Sequence, residues 1–214
     1  MKILVIDAGN TNLKLAIFEN GRLKRFISSS YELAESLRYN DYDKGILVST
    51  VKPLNETILR RFPNVYLLEP ERLNIKSNYS LSVVGADRIA ASYPFVKRGK
   101  DVIILLSGTS ITLNIVKGGV FYGGPIFPPY KGVMASYRIL SMSRSIKGDT
   151  LRAINRAVDC IFKGGLMCAL NDVKREFGIK DVYVSNDFPY HIPNSKKLAY
   201  PVIYGAYELI LDLP

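Results

Sequence analysis

The sequence has few residues suited to metal binding or to histidine-dependent catalysis. It contains one histidine, His191, and two cysteines among 214 residues. These are too few to build a zinc site, a Ser-His-Asp triad or a Cys-His pair. Cys160 and Cys168 lie on one predicted helix, separated by a rise of about 12 Å, which is too long for a disulfide. We expect both cysteines to be small buried apolar residues.

Long hydrophobic runs are also missing. No apolar run approaches the roughly 20 residues that cross a bilayer, and the opening MKILVID becomes acidic too early for a signal peptide. No stretch is long and polar enough to indicate disorder. With 48% hydrophobic residues, the chain can bury a core as one domain or two small ones. We expect a soluble, cytoplasmic protein with no membrane association.

Basic residues outnumber acidic ones, with 29 Lys and Arg against 19 Asp and Glu, for a net charge of +10. This excess suits an anionic partner such as a nucleotide, an acidic metabolite or nucleic acid. The basic residues occur in short pieces, LRRF, VKRGK and NSKK, without a basic tail. We therefore expect most of them on the solvated surface, and nucleic-acid binding is not the expected function.

A pattern of hairpin-connected strands followed by helices occurs twice along the chain. The predicted strands of the first half are KILVID, LKLAIF, LKRFIS, GILVST and VYLL, and its predicted helices are YELAESLR and PLNETILRRF. The predicted strands of the second half are DVIILL, ITLNIV, VFYGG and DVYVS. Its predicted helices are GADRIAASYPFVKR, a segment around KGVMASYRIL, residues 149–177 and PVIYGAYELIL. The repeat predicts two similar α/β halves, residues 1–84 and 85–214.

Each half has a glycine turn after its first strand, AGNTN in one and SGTS in the other. A cleft between the halves would place both turns against one ligand. Glycine lets backbone N–H groups approach phosphate closely, and Lys14 adds a point charge. Asp7 would hold a magnesium ion, through water, because a carboxylate repels phosphate. An ordinary turn remains the alternative. The predicted phosphate-binding residues are Asp7, Gly9, Asn10, Thr11, Lys14, Gly108, Thr109 and Ser110.

A second candidate site lies in NYSLSVVGADR, where Asp87 and Arg88 begin a predicted helix after Gly85. A carboxylate at a helix N-terminus usually caps the helix or interacts with its dipole. The adjacent arginine allows another role, in which Arg88 orients an anionic substrate while Asp87 accepts a proton. Spacing alone leaves both roles open.

Taken together, these motifs resemble the type III pantothenate kinase family, which phosphorylates pantothenate with ATP in the first step of coenzyme A synthesis. The matching segments are DAGNTNLK, NYSLSVVGADR, GTSIT, GGPIFP and GDT, in the order expected of the family. The resemblance implies two ribonuclease H-like halves, as in actin and sugar kinases. It also implies Mg²⁺, a monovalent cation such as K⁺ or NH₄⁺, and a homodimer.

The resemblance assigns roles to individual residues. Asp87 corresponds to the general base that takes the proton from the pantothenate hydroxyl, and Asp7 lies near the metal. The residues similar to the pantothenate pocket are Tyr79, Gly85, Ala86, Asp87, Arg88 and Thr150. The two glycine turns correspond to the phosphate motifs.

The chain departs from the family at several of these positions. Leu106 replaces an aspartate that opens the second phosphate motif, and Asn114 replaces a frequent aspartate after its second threonine. VSND, residues 184–187, occupies the place of a Thr-Gly-Gly turn. A leucine offers no oxygen to a cation. The sequence therefore leaves three functions open: a pantothenate kinase, a binding homologue with weak or absent turnover, and a nucleic-acid-associated regulator.

Overall fold

The computed structural model describes residues 1–31, 41–128 and 149–213, which form two mixed β-sheets with helices packed against them. The first sheet has the order β3-β2-β1-β4-β5. Its strands are β1 (Lys2–Ala8), β2 (Leu13–Glu19), β3 (Arg22–Ser29), β4 (Lys44–Ser49) and β5 (Val65–Leu67). β1, β2 and β3 are antiparallel neighbours, whereas β4 and β5 run parallel to β1.

The second sheet repeats this arrangement with the order β11-β10-β6-β7-β8. Its strands are β6 (Val102–Ser107), β7 (Ile111–Lys117), β8 (Val120–Gly123), β10 (Val182–Ser185) and β11 (Ser195–Leu198), and the short β9 (Ile126–Phe127) pairs with β7. β6, β7 and β8 are antiparallel neighbours, and β10 and β11 run parallel to β6. The same topology in both sheets confirms the duplicated α/β fold that the repeat predicts.

Four α-helices are present in the described ranges: α1 (Asn55–Arg61), α2 (Ala86–Lys97), α3 (Asp149–Phe177) and α4 (Pro201–Asp212). α2 and α4 cross closely, because Gly205 leaves no room for a side chain: a Cβ there would lie 1.8 Å from the carbonyl oxygen of Ala90. α2 contributes Ala90 to the core of the first sheet and Ile89 to that of the second. Because α2 contacts both sheets, it fixes the position of one relative to the other.

Most predicted elements are present, and the exceptions have local causes. β9 and β11 were not predicted, because β9 has only two residues and SKKL in β11 lacks an apolar pattern. The predicted helices YELAESLR and KGVMASYRIL lie mainly or entirely outside the described ranges. The boundary at residues 84 and 85 stays a prediction. No helix in the described part of the chain is long and apolar enough to cross a membrane.

The prediction that the cysteines are buried is wrong. Cys160 and Cys168 both lie on α3, as expected, but both are exposed to solvent. α3 packs through other residues, including Phe162, Leu166 and Leu170, which belong to the core of the second sheet. The cysteines lie on the remaining surface of the helix.

Candidate functional site

The two glycine turns lie at the same end of the two sheets and face each other. The turn between β1 and β2 is closed by a hydrogen bond from the Gly9 N–H to the Asn12 carbonyl, 3.1 Å. The turn between β6 and β7 is closed by the Gly108 N–H and the Ser110 carbonyl, also 3.1 Å. The hydroxyl oxygens of Thr11 and Thr109 are 3.4 Å apart. The repeat therefore brings its two turns into one cleft.

Both turns leave space above their glycines. A Cβ at Gly9 would lie 3.6 Å from the Asn12 carbonyl oxygen, and a Cβ at Gly108 would lie 3.9 Å from the Ser110 carbonyl oxygen. The protein therefore leaves room for a side chain at both positions. Asn10, Thr11 and Thr109 are exposed in this space. A phosphate group could approach the polypeptide closely here, which is what a glycine turn allows.

Asp7 and Lys14 face each other across the first hairpin. They are register partners on β1 and β2, and Lys14 Nζ lies 3.2 Å from Asp7 Oδ2. Burial raises the pKa of the Asp7 carboxyl, and the Lys14 ammonium opposes this rise. The negative charges of Asp87 and Asp187 raise the pKa of Asp7 further. These carboxylates therefore act on one another within one cleft.

Tyr31 contacts the first turn, although no pattern in the sequence predicts this contact. Its hydroxyl donates a 2.6 Å hydrogen bond to the carbonyl of Gly9. Burial raises the pKa of Tyr31, and the charge of Asp7 raises it further. The phenol is thus neutral and donates to the turn from a fixed position.

Asp87 lies in the first turn of α2, where Gly85 leaves room for its carboxylate. A Cβ at Gly85 would lie 2.5 Å from Asp87 Oδ1. Burial raises the pKa of Asp87, whereas the backbone N–H and the charge of Arg88 lower it. The positive charge of Lys14 also lowers the pKa of Asp87. Asp87 therefore lies close enough to Asp7 and Lys14 for their charges to act on one another.

The Arg88 side chain is buried, 5% exposed, and points away from α2 toward β7. Its Nε donates to Asn114 Oδ1 at 2.6 Å, and its Nη2 donates to the carbonyls of Leu113 and Gly124 at 2.8 and 3.1 Å. Burial lowers the pKa of Arg88, and the charge of Asp87 opposes this. The guanidinium is held in one place by three acceptors.

Tyr79 lies half-exposed next to this guanidinium. Its backbone is fixed by Ser77, whose Oγ accepts the Tyr79 N–H at 3.0 Å and donates to the Tyr79 carbonyl at 2.6 Å. The ring covers Gly123, where a Cβ would lie 2.7 Å from Tyr79 Cδ2. The charge of Tyr79 raises the pKa of Arg88. The missing side chain at Gly123 thus lets the Tyr79 ring lie against this glycine.

The second turn is supported by the segment VSND, which begins within β10 and continues beyond its end. The buried Ser185 Oγ accepts a hydrogen bond from the Ser107 N–H at 3.2 Å, immediately before Gly108. Phe188 N–H donates to the Ser185 carbonyl, which closes a turn containing the exposed Asp187. Ser185 and Asp187 were not among the predicted site residues, although the departure of this segment from the Thr-Gly-Gly pattern pointed to it.

The remaining predicted residues occupy different places. Ala86 is buried and packs in the core of the first sheet. Leu106 is 7% exposed and lies in an apolar cluster that includes Val84 and Ile89. Thr150 lies in the first turn of α3, and its side chain is outside the described residues. The two predicted glycine turns meet through Thr11 and Thr109, Asp7 and Lys14 lie on the strands beside the first turn, and the Arg88 guanidinium is held against β7.

The chain is similar to proteins of one known family. The family model for type III pantothenate kinase matches residues 3–145. Among curated relatives, the type III pantothenate kinase of Kosmotoga olearia is 32% identical over 163 residues, covering 64% of this chain and 60% of that protein. That of Aquifex aeolicus is 28% identical, covering 58% of this chain and 55% of that protein. That of Thermosipho africanus is 27% identical, covering 83% of each.

The solved structures support the fold. A Campylobacter jejuni protein assigned to the Baf family of transcriptional activators has a TM-score of 0.72 at 19% identity, covering 98% of each chain. A Listeria monocytogenes protein assigned as an N-acetylmannosamine kinase has a TM-score of 0.56 at 14% identity, covering 99% of each. The matched region spans less than two thirds of the length of the Aquifex and Kosmotoga relatives. From the family match and the paired turns of the duplicated fold, this chain belongs to the type III pantothenate kinase family.

Proposed function

We propose that this protein transfers the γ-phosphoryl group of ATP to the primary hydroxyl of pantothenate and forms 4'-phosphopantothenate. The observation that carries the proposal is the position of Asp87, whose charge acts on Asp7 in the cleft lined by both glycine turns. An acceptor hydroxyl bound beside Asp87 would face a phosphate held by Thr11 and Thr109. The relatives named type III pantothenate kinase support the choice of substrate.

Asp87 has the chemistry of a general base in this reaction. The pantothenate oxygen attacks the γ-phosphorus, the bond from that phosphorus to the ADP oxygen breaks, and the hydroxyl proton passes to the Asp87 carboxylate. Burial raises the pKa of Asp87, which makes the carboxylate a better proton acceptor than an exposed aspartate. Positioning and charge neutralisation provide most of the catalysis of phosphoryl transfer. The two turns, Lys14 and Arg88 would provide these.

Magnesium fits the cleft as an ion that binds together with the nucleotide phosphates. No group of three or more His, Cys, Asp or Glu side chains in the described ranges could hold a metal alone. Mg²⁺ commonly takes one or two carboxylates and completes its shell with water and substrate phosphates. We therefore assign Asp7 to the ion through water, and bound Mg²⁺ would neutralise charge on the phosphates.

A monovalent cation does not fit at the position the resemblance suggests. The side chain of Leu106 belongs to an apolar cluster with Val84 and Ile89, and it has no oxygen to offer. We give K⁺ and NH₄⁺ no part in the reaction. We further propose a homodimer and a cytoplasmic location, which follow from family membership alone.

The cluster around Leu106 also favours a second candidate function, a homologue that binds pantothenate or a protein partner with little turnover. Loss of a cation ligand would weaken charge neutralisation during transfer while leaving the Arg88 guanidinium and its hydrogen bonds unchanged. The two functions share the binding step and differ in the chemical step.

One assay separates these two functions. Purified protein is incubated with ATP, Mg²⁺ and pantothenate, with and without K⁺, and 4'-phosphopantothenate is measured by mass spectrometry. We expect product that depends on protein and on Mg²⁺ and that does not require K⁺. Pantothenate binding by calorimetry without any product would reject the kinase and support the second function. Absence of both binding and product would reject both.

A further inference from the structure

The first glycine turn is held by hydrogen bonds to its backbone carbonyls. The Ala8 carbonyl accepts from the Thr50 N–H at 3.0 Å and from Thr50 Oγ1 at 3.3 Å. The Gly9 carbonyl accepts from the Tyr31 hydroxyl at 2.6 Å. The Asn12 carbonyl accepts from the Gly9 N–H at 3.1 Å. Donors within the protein therefore satisfy all three of these carbonyls.

The backbone amides at the centre of the same turn have no such partners. Neither the Asn10 N–H nor the Thr11 N–H donates a hydrogen bond to any residue that the structure describes, and both residues are exposed. A backbone N–H needs an acceptor, and successive free N–H groups in a turn form a concave site for an anion. The turn therefore keeps its carbonyls on protein donors and leaves its amides to water or to a ligand.

Tyr31 determines the direction of one of these amides. In a trans peptide, the carbonyl of one residue and the N–H of the next point to opposite sides. Because the Tyr31 hydroxyl holds the Gly9 carbonyl, the Asn10 N–H points away from that hydroxyl. The Tyr31 ring packs with an apolar cluster that includes Leu4 and Ile6, on the face of the first sheet opposite to α2. The phenol thus leaves the α2 side of the turn open to a ligand.

We propose that Tyr31 is a positioning residue for ATP, whose hydroxyl orients the Gly9–Asn10 peptide so that the Asn10 N–H donates to a phosphate oxygen. The inference deepens the proposed function, because it concerns the phosphates of the nucleotide proposed there. Tyr31 touches the turn and not the nucleotide. Glycine permits many backbone conformations, so a Gly9 carbonyl without its donor could turn toward the phosphates and repel them. The hydroxyl removes this freedom before ATP binds, which lowers the cost of binding.

Tyr42 provides a matched control. Its ring packs against the same apolar cluster as that of Tyr31, and its hydroxyl donates to the Pro63 carbonyl at 2.5 Å. It lies near the start of β1, where the Asp43 N–H donates to the Lys2 carbonyl, whereas the glycine turn follows the end of β1. Tyr31→Phe and Tyr42→Phe each keep the ring and remove one hydrogen bond to a carbonyl. Their midpoints in urea unfolding should therefore fall by similar amounts.

The experiment measures binding of a non-hydrolysable ATP analogue with Mg²⁺ by calorimetry. Tyr31→Phe should weaken binding by about tenfold, because a hydrogen bond to a charged group loses its fixed donor. Tyr42→Phe should stay within about twofold of wild type, and pantothenate affinity should stay within about twofold in both variants. In turnover, Tyr31→Phe should raise KM for ATP and leave KM for pantothenate unchanged. Equal affinity for the analogue in all three proteins, or equal losses in the two variants, would overturn the inference.

A second measurement observes the amide itself. The Asn10 N–H signal is identified by NMR in protein with isotope-labelled asparagine, through its loss in Asn10→Ser, and inorganic tripolyphosphate is titrated as a probe that lacks a nucleoside. The signal should move in wild type and in Tyr42→Phe, and Tyr31→Phe should need about tenfold more probe. A wild-type signal that stays in place, or the same response in all three proteins, would refute the role of Tyr31. If both probes bind as expected but no 4'-phosphopantothenate forms, the proposed function fails while this inference stands.

Discussion

The hydroxyl oxygens of Thr11 and Thr109 lie 3.4 Å apart across the cleft, although the residues are 98 positions apart in the chain. Each lies in the glycine turn between the first two strands of its half. An O–H···O hydrogen bond is usually 2.5–3.0 Å long, so this contact is weak. Both hydroxyls can therefore exchange it for a phosphate oxygen at little cost.

We predict that these two hydroxyls act together in nucleotide binding. Thr11→Val and Thr109→Val should each weaken binding of a non-hydrolysable ATP analogue by about tenfold, because each loses a hydrogen bond to a charged group. In the double variant, the affinity for the analogue should fall by less than the product of the two single fold-changes, because both hydroxyls contact one ligand. Thr57→Val on the exposed surface of α1 is the matched control. Full additivity in calorimetry would show that the two turns bind independently.

The second prediction concerns the proton acceptor. Asp87→Asn should lower turnover by about 10²–10⁴-fold, the range expected for a lost general base. Binding of pantothenate should stay within a few-fold of wild type, because the amide keeps the shape of the side chain. Asp181→Asn, at the opposite end of β10 from the cleft, makes the same change at an exposed site and should be neutral. Wild-type turnover in Asp87→Asn would remove Asp87 from the mechanism.

The raised pKa of Asp87 also predicts a pH-dependent stability difference. Burial places the folded-state pKa above the unfolded value of about 3.9, so the folded protein holds the proton more tightly. The free energy of unfolding therefore falls as pH rises from the unfolded pKa through the folded one. Asp87→Asn should be more stable than wild type at pH 7, and this advantage should shrink at acidic pH. Urea unfolding of both proteins at several pH values measures this difference in stability. If Asp87→Asn were equally more stable than wild type in acid, the raised pKa of Asp87 would not be the reason.

Much of the fold and of the cleft could be predicted from the sequence because the signals are local and occur twice. KILVID and DVIILL are nearly continuous apolar runs, as expected for strands buried on both faces, and each is followed by a glycine turn. The position of Asp87 at a helix start followed from GADR. The approach of Thr11 to Thr109 followed from the repeat, since equivalent turns of two halves meet in the cleft between them.

Other features depend on packing between distant segments and could not be predicted. Nothing near Tyr31 in sequence indicates that its hydroxyl reaches Gly9. Asn114 was visible as a departure, but its amide orientation depends on the carbonyl of Ile104 and on Arg88. The cysteines were predicted to be buried because cysteine is usually a buried residue type. Their exposure depends instead on which face of α3 packs against the second sheet.

The apolar cluster around Leu106 leads to a prediction about stability. Leu106→Asp should lower the free energy of unfolding by about 3 kcal/mol, because it loses apolar burial and buries a carboxylate. Leu106→Ala is the matched control, which loses the burial without adding charge. We expect the aspartate variant to be the less stable of the two in urea unfolding and to gain no dependence on K⁺. A variant as stable as Leu106→Ala, with turnover that rises with K⁺, would show that the position can hold a cation.

The space at Gly85 predicts a variant that separates catalysis from folding. The Gly85 backbone, with φ −60° and ψ 135°, suits alanine, but its Cβ would lie 2.5 Å from Asp87 Oδ1. The carboxylate can move away because it is the end of a flexible side chain, so unfolding should change by less than about 1 kcal/mol. Displacing the base should lower turnover by about 10²-fold. Gly164→Ala on α3, whose Cβ would meet nothing within 4 Å, should leave turnover unchanged and stabilise the helix. Equal turnover in the two variants would show that the position of the Asp87 carboxylate does not limit the reaction.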